Sequence, residues 1–320
     1  MHEPDGLLLL PRLRVQNANA ISGPLTWGFP SPTAFLGFAH ALQRKLQEKW
    51  DLRFTGTGIV CHWFDPQTSY PAGRHHQVFN LSRNPIRAGY KKYEDKDAAL
   101  VEEGRAHMEI SLLLETEGDM DDEPTDFLQD MLETVHGMRL AGGSLIPAHG
   151  EAHRPHWQPW WDDEEDNRTA FRELRHRLLP GFALVQRPDL LEQRLAELRD
   201  ETPEANTLDA LLDLCALHIE PESDDRGATK WRYRRASGWI VPLPVGYGAL
   251  SETLEPGEVG NARDSQTPFR FVESLYSLGQ WLSPHRIGDP GNLMWRQYSD
   301  EDNGLYLCAN DYTTTFNDKE

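Results

Sequence analysis

The chain has 320 residues, 38% of them hydrophobic and 10% aromatic, so it can bury a substantial core and is not an intrinsically disordered protein. Its formal net charge of −19 at pH 7 argues against nucleic-acid binding through overall charge, because phosphate contacts depend on basic side chains. No window approaches the roughly 18 apolar residues of a membrane span, and the first residues lack the pattern of a secretory signal. Together with three cysteines that are far apart in sequence, this predicts a cytoplasmic protein with reduced thiols and no membrane contact.

The charge is unevenly distributed along the chain. Three segments contain several Lys or Arg residues and no acid, namely residues 6–47, 71–93 and 226–251. Acid is concentrated in residues 115–138, which carry nine carboxylates and no Lys or Arg, and in residues 162–166. A chain polarised in this way can bind a polyanion on one surface. We expect its acidic segments 115–133 and 162–166 to face solvent or a basic partner protein.

The first half predicts a split βαβ arrangement. Strand, helix, strand, strand, helix and strand are expected at residues 7–15, 32–49, 57–64, 106–115, 124–136 and 138–146. Ser31 and Pro32 are typical N-cap and first-turn residues for the first helix. We therefore predict an α+β fold with a ferredoxin-like, RNA-recognition-motif-like core at residues 1–147. Both helices are expected on one face of the sheet, which leaves the other face free for RNA.

The second half, residues 148–320, is predicted to be more helical and to pack on the core with short strands. Helices are expected at residues 171–179, 188–200, 208–217 and 269–282, and a strand at 230–242. Residues 147–167 are rich in His, Pro, Trp and acids, which favours an exposed linker.

The loop after the first strand carries candidate RNA contacts. Asn17 and Asn19 follow the strand directly, and Trp27 lies in a segment rich in Gly and Pro. Asn amides can read base edges, and indole rings can stack on bases. The alternative is that the amides satisfy the loop backbone and the ring belongs to the core.

Residues of about 65–106 form a long insertion, which we expect to protrude like a thumb. Its segment 71–93 mixes cations with aromatic rings, as in proteins that clamp single-stranded RNA. The candidate RNA contacts in it are Arg74, His76, Asn80, Arg83, Asn84 and Arg87. Arg105 and Arg139, beside the predicted sheet edges, are further candidates.

The run KWRYRR begins at Lys230. In a strand, Lys230, Arg232 and Arg234 would lie on one face and the aromatic residues between them on the other. This pattern suits RNA or an acidic protein partner, and it equally suits a solvated edge strand guarded by charge.

The sequence contains no pattern that is typical of an enzyme. His149, His153 and His156 lack the helical spacing of HExxH, so we predict neither a metal site nor a cofactor. His75 or His76 could act as general acid or base in a metal-free ribonuclease, but adjacent residues of a strand point apart. We therefore expect no catalytic residue.

Strings along most of the chain resemble one family. They include LLLLPRLRVQNANAISGPLTWGFPSPTAFLGFAHAL at 7–42, VFNLSRNP at 78–85, EEGRAHMEISLLL at 102–114, RLLPGFALV at 177–185 and PGEVGNARDSQTPFRFVESLYSLGQWLSPHRI at 256–287. The chain resembles the second Csy subunit, the Cas-five-type protein of type I-F CRISPR systems.

The resemblance implies a non-catalytic subunit of a CRISPR surveillance complex for antiviral defence. Such a subunit has an RNA-recognition-motif-like core with a thumb and forms a heterodimer with the large Csy subunit. Together they hold the 5′ handle of the crRNA, and the subunit caps the filament next to the last backbone subunit. It meets target DNA only within the assembled complex. Asn17, Asn19 and Trp27 fall within the matching strings, so the resemblance implies RNA or partner contacts there.

Two alternatives remain at this point. Some Cas-five-type proteins of other subtypes cleave repeat RNA, so the chain could be a repeat-processing endoribonuclease on the same fold. It could also be a scaffold that contacts only protein.

Overall fold

The computed structural model describes residues 4–73, 76–85, 100–118, 124–161, 163–223, 229–234, 238–260, 262 and 264–312. The helices in them are α1 (Pro32–Leu46), α2 (Thr125–His136), α3 (Glu164–Arg177), α4 (Pro188–Glu201) and α5 (Thr207–Cys215). The strands are β1 (Gly6–Asn19), β2 (Ile21–Gly23), β3 (Thr26–Trp27), β4 (Leu52–Pro66), β5 (Thr68–Ser69), β6 (Val78–Phe79), β7 (Ser82–Pro85), β8 (Leu100–Glu103), β9 (Arg105–Gly118), β10 (Arg139–Leu140), β11 (Gly143–Ile146), β12 (His156–Pro159), β13 (Phe182–Gln186), β14 (His218–Ser223), β15 (Thr229–Arg234), β16 (Trp239–Ala249), β17 (Val272–Leu282), β18 (Met294–Asp300) and β19 (Leu305–Asn310). The prediction of an α+β fold is confirmed. None of these helices is long and apolar enough to cross a membrane.

Three long antiparallel strands form the centre of the sheet. β9 pairs with β1 on one side and with β4 on the other, so that Leu112 lies opposite both Leu10 and Ile59. β11 pairs with the far edge of β1. The strand order in this part of the sheet is therefore β11, β1, β9, β4.

Helix α1 covers one face of this sheet. The Ser31 side chain accepts a hydrogen bond from the Thr33 N–H, and Pro32 opens the first turn, so the helix begins where the sequence predicts. Its apolar side chains repeat at helical spacing and pack with those of α2 against alternate residues of β1, including Leu8 and Leu10.

The prediction of a free sheet face is wrong. Leu7 and Leu9 alternate with the residues under α1 and so point to the opposite face. They are at most 1% exposed, in a second core with Phe171 and Leu174 of α3. The leucines on this face need burial as much as those on the α1 side, so the later part of the chain covers the face.

The later strands close a ring on β4. The strands β13, β17, β16, β19 and β18 pair in that order, and both β13 and β18 pair with β4. β4 meets β9 along one edge, so these two strands share its other edge. A closed ring of this kind leaves few unpaired strand edges.

The strand predicted at 230–242 is confirmed at both of its ends, in β15 and β16, whereas two other expectations for the second half are wrong. Residues 272–282 of the predicted helix form β17. The expected linker at 147–167 contains β12, which pairs with β1 through Trp157 opposite Leu8, and the start of α3. The second half contributes three helices, but it also contributes the 11-residue strands β16 and β17.

Candidate nucleic-acid interface

The end of β1 carries a β-bulge at Asn17. The pairing with β9 shifts register between Val15 and Ala18, and Asn17 adopts a left-handed backbone with φ of 58°. Asn tolerates this conformation better than most residues because its short side chain can bond locally. Bulges re-aim side chains and are common beside functional sites. The bulge leaves Asn17 exposed where three segments of the chain meet.

Hydrogen bonds at Asn17 join these three segments. Gln67, just after β4, donates from Nε2 to Asn17 Oδ1 over 2.7 Å. The Asn17 N–H donates to His107 Nδ1 over 3.3 Å, and Arg105 Nη1 donates to the Asn17 carbonyl over 3.2 Å. The exits of β1 and β4 and the start of β9 are thus held together by polar groups at the surface.

The base of the insertion lies beside this junction. The Asn80 N–H donates to the Gln67 carbonyl over 2.8 Å, and Ser69 Oγ donates to Asn80 Oδ1 over 2.7 Å. Next to Asn80, the Phe79 ring meets the Trp27 ring edge-on, with centroids 5.6 Å apart. Trp27 is 51% exposed, so it is not a core residue and retains a ring surface on which a base can stack.

A glycine allows the N-terminal loop to approach the insertion. The Ala20 N–H donates to the Gly104 carbonyl over 2.9 Å. A Cβ at Gly104 would lie 2.9 Å from Ile21 Cγ1 and 3.3 Å from Phe79 Cδ1. The contact between the two segments therefore requires a residue without a side chain at position 104.

Arg105 lies at the junction as one half of an ion pair with Glu103. Its guanidinium is hydrogen-bonded to Glu103 as well as to the Asn17 carbonyl, and these two bonds fix its orientation. Across the ladder, Asn19 lies opposite Arg105. The Asn19 side-chain amide is hydrogen-bonded to the Ile21 backbone, donating to its carbonyl over 2.8 Å and accepting from its N–H over 3.2 Å. It therefore satisfies the loop backbone, as the alternative interpretation expected.

Arg139 lies at the margin of this region. Its guanidinium donates to the Gly142 carbonyl, over 3.1 Å from Nε, and remains exposed. It lines an open cleft beside α1 together with Asn19 and Thr33. The structure therefore brings Arg139 near Asn19, in a cleft whose described lining does not include Trp27.

The other candidates lie farther along the insertion. Arg83 and Asn84 are in β7, which pairs with β8, and His76 is exposed between β5 and β6. The side chains of Arg83 and Asn84, and the whole of Arg74 and Arg87, lie outside the described residues. RNA contacts by these residues stay predictions.

An aromatic cleft includes Trp27 in its lining. It has a volume of about 500 Å³, and its described lining contains Trp63, Phe182, Trp239 and Trp281 but no Asp, Glu, Lys or Arg. Phe182 meets Trp239 edge-on at 5.6 Å between centroids. Sequence reasoning missed this cleft because its rings come from four different strands, which only the ring of strands brings together.

The acidic segments have structural roles that the sequence did not reveal. Glu115 is buried, and its carboxylate accepts hydrogen bonds from Arg296 at 2.7 and 2.9 Å. This pairing raises the pKa of Arg296 despite partial burial. The expectation that all of 115–133 faces solvent or a partner is therefore wrong at Glu115. In the second segment, Asp163 caps α3 and acids fill its first turn, where they complement the helix dipole.

A Cys–His pair in β4 is unsuited to nucleophilic chemistry. His62 Nδ1 lies 2.7 Å from the Pro180 carbonyl and Nε2 lies 2.6 Å from Ser111 Oγ, so both ring nitrogens are engaged. Burial lowers the pKa of His62 and raises the pKa of the Cys61 thiol to about 12. The thiolate needed for attack is therefore scarce near neutral pH. Within the described ranges, no group of three or more His, Cys, Asp or Glu residues is placed to hold a metal ion.

Comparison with known proteins confirms the resemblance. The family described as "CRISPR-associated protein (Cas_Csy2)" matches residues 8–308. A curated protein from Pseudomonas aeruginosa (strain UCBPP-PA14), "CRISPR-associated protein Csy2", is 50% identical over 315 residues, covering 95% of this chain and 95% of that protein. The family match includes the N-terminal loop and the insertion that meet at Asn17. The chain belongs to the Csy2 family of CRISPR-associated proteins.

Proposed function

We propose that this chain is a non-catalytic subunit of a type I-F CRISPR surveillance complex. In this role it binds the 5′ handle of the crRNA together with the large Csy subunit and caps the backbone filament. Family membership supports a place in such a complex. Target DNA is met only in the assembled particle.

The observation that carries the RNA-binding proposal is the junction at Asn17. Amides from Asn17, Gln67 and Asn80, the Arg105 guanidinium and the half-exposed ring of Trp27 come together from three separate segments. Amides and guanidinium groups recognise base edges and phosphates, and the ring offers a stacking platform.

The strand order supports an RNA-recognition-motif-like core. Four strands lie side by side in the order β11, β1, β9, β4. Along the chain, α1 follows β1 and α2 follows β9, which is the split βαβ pattern. With the second sheet face buried, RNA would run along the end of the sheet toward the insertion. The β5–β6 and β7–β8 pairings provide a base from which a thumb could protrude.

Binding of handle RNA by the purified heterodimer with the large Csy subunit tests this function. Trp27→Ala should weaken the affinity about tenfold, since stacking one base contributes about 1–3 kcal/mol. Trp161→Ala is the matched control, because Trp161 is similarly exposed at 44% but lines a separate, acid-rimmed cleft. Equal affinities of the two variants would contradict the proposed site.

Incubation with the repeat RNA tests the catalytic alternative. The proposal predicts no cleavage by the purified chain. Sequence-specific cleavage that disappears in His76→Ala would instead establish a processing ribonuclease. A heterodimer that forms normally but never binds handle RNA would point to a scaffold that contacts only protein.

A further inference from the structure

The aromatic cleft contributes only Trp27 to the function proposed above. The register of the strands places its other rings side by side, because Trp239 lies opposite Trp281, and Trp281 lies opposite Leu184. Phe182 stands two residues before Leu184 in β13 and therefore points to the same face of the sheet. Three aromatic side chains from three neighbouring strands thus form one continuous wall of the cleft.

The rings of this wall contact one another and keep exposed faces. Phe182 and Trp239 meet at 65° with their centroids 5.6 Å apart, and Trp239 and Trp281 meet at 55° and 6.5 Å. Neither pair is stacked in parallel, so neither contact covers a whole ring face. Trp239 is 59% exposed, and Trp63, which also lines the cleft, is 53% exposed. A base can therefore stack on an exposed ring here, as on Trp27.

The three segments of the chain that contain no acid meet at the cleft. Segments 6–47 and 226–251 supply the larger part of its described lining. The third segment, 71–93, reaches the cleft where Phe79 contacts Trp27. The carboxylates that give the chain its net charge of −19 are thus kept out of the described lining. A phosphate chain can approach this surface, whereas it is repelled from the acidic parts of the protein.

The tryptophans of the cleft offer hydrogen-bond donors. In the part of the chain that the structure describes, the indole N–H groups of Trp27, Trp63, Trp239 and Trp281 donate to no protein group. An indole N–H can only donate, so an occupant without acceptors would leave these groups unpaired, which costs free energy. An apolar side chain of a partner protein has no acceptor, whereas the carbonyl oxygens and ring nitrogens of a base accept hydrogen bonds. The cleft therefore fits a base better than an apolar protein side chain.

We infer that the aromatic cleft receives an unpaired base of the bound RNA, while the phosphates stay at the Asn17 junction. The cleft volume of about 500 Å³ lies within the range of roughly 300–1,000 Å³ for pockets that bury small organic ligands. Its uncharged lining suits the ring of a base and cannot compensate the charge of a phosphate. The inference rests on the proposed function, which supplies the RNA. It adds a second base subsite, built around Trp239, to the stacking position at Trp27.

Binding of handle RNA by the heterodimer with the large Csy subunit tests the subsite. Trp239→Ala should weaken the affinity about tenfold, whereas Trp239→Phe, which keeps a stacking ring, should stay within threefold of the wild type. Trp161→Ala is again the control and should change the affinity less than threefold, because Trp161 lines a separate cleft. Since Trp239 is largely exposed, the urea midpoint of the free chain should change little in these variants.

Handle RNAs that each lack a single base identify the base in the cleft. One abasic position should weaken binding to the wild type about tenfold and have little further effect in Trp239→Ala, because the ring and the base form one contact. A different position should be coupled in this way to Trp27→Ala. If Trp239→Ala does not fold, the same cycle is measured with Phe182→Ala, whose ring is part of the same wall.

Three results would overturn the inference. Unchanged handle affinity of Trp239→Ala, together with weaker binding of Trp27→Ala, would leave the proposed function intact and show that the cleft holds no base. Weaker assembly of Trp239→Ala with the large subunit, at unchanged RNA affinity of the heterodimer, would make the occupant a partner protein. Self-association of the free chain that Trp239→Ala abolishes, without an effect on RNA affinity, would make the occupant a second copy.

Failure of the proposed function would be seen separately, as handle RNA that does not bind the wild-type heterodimer. The probe is then a single-stranded RNA of mixed sequence, and its binding to the free chain is followed by quenching of tryptophan fluorescence. Phe182→Ala retains every tryptophan and removes one ring of the cleft wall. Weaker binding by this variant than by the wild type would support the base subsite. Equal affinities, or no binding by the wild type, would overturn it.

Discussion

Gln67 donates a side-chain hydrogen bond to Oδ1 of Asn17 over 2.7 Å, although fifty positions separate the two residues in sequence. The bond joins the point where the insertion leaves β4 to the bulge where the N-terminal loop leaves β1. It therefore holds two predicted RNA-binding segments in one place. Its loss should affect RNA binding more than folding.

Gln67→Ala should weaken handle-RNA binding by the heterodimer three- to tenfold, or about 0.7–1.4 kcal/mol. The reason is that Asn17 loses the bond that positions its amide. The free energy of unfolding should fall by less than about 1 kcal/mol, because the bond is exposed. Fluorescence anisotropy with labelled handle RNA and urea denaturation measure the two effects.

Gln193→Ala is the control for that variant. Gln193 also donates a side-chain amide bond, to Glu197 over 3.0 Å, but on the exposed surface of α4. Its replacement should leave RNA affinity unchanged. An equal loss in both variants would show that the Gln67 effect is not specific to the junction.

Gly104→Val should separate the N-terminal loop from the insertion. The new side chain would collide with Ile21 and Phe79, which lie 2.9 and 3.3 Å from its Cβ position. We expect a loss of about 1–3 kcal/mol in unfolding free energy, together with weaker handle binding. By contrast, Gly37→Ala in α1 meets nothing within 4 Å and should stabilise the chain by about 0.5–1 kcal/mol. Thermal and urea denaturation measure the stability of the two variants. If both were more stable than the wild type, the close contact at Gly104 would be contradicted.

Arg296→Ala should destabilise the fold by about 2–3 kcal/mol, because it leaves the buried Glu115 carboxylate with a hydrogen bond from Thr55 but without a cation. We expect a smaller loss of unfolding free energy than for a fully buried ion pair, because the Arg296 side chain is 32% exposed. Arg168→Ala removes the exposed pair with Glu164 and should change stability by less than about 0.5 kcal/mol. Urea denaturation at pH 7 measures both losses. If Glu115 faced solvent and had no structural role, the Arg296→Ala and Arg168→Ala variants would be equally stable.

Stability should depend on pH through His62. Burial holds its pKa in the folded chain below the ordinary value of 6.5, so the unfolded chain binds the proton first as the pH falls. The stabilising contribution is complete above pH 6.5 and decreases below it. Between pH 7.5 and 5.5, wild-type protein should therefore lose more unfolding free energy than His62→Gln. His136 and His156, whose pKa values burial also lowers, act equally in both proteins. Parallel pH profiles would exclude the His62 effect.

The sequence predicts local elements well where local chemistry determines them. α1 follows from Ser31, Pro32 and a helical apolar stripe, and α2 ends at His136 as expected. Prediction from the sequence fails where a strand is buried on both of its faces. In β17, residues 277–280 are all buried, because Leu278 packs against α4 and α5 while Gly279 meets Leu184 and Leu243 on the opposite face. The polar-apolar alternation of a half-exposed strand is therefore absent.

The candidate site was predicted in its parts but not in its assembly. Asn17, Trp27, Asn80 and Arg105 were named from residue type and loop position, and the structure brings them together. Gln67 and His107 were missed because their roles depend on the register of β4 and β9 around the bulge. Likewise, nothing local in the sequence indicates that α3 covers the second sheet face.

The most direct test of the RNA interface is cross-linking of handle RNA within the assembled complex, with the adducts mapped by mass spectrometry. We predict adducts on the loop around Trp27 and on the base of the insertion, including Phe79. Adducts confined to other parts of this chain, or to other subunits alone, would contradict the proposed interface.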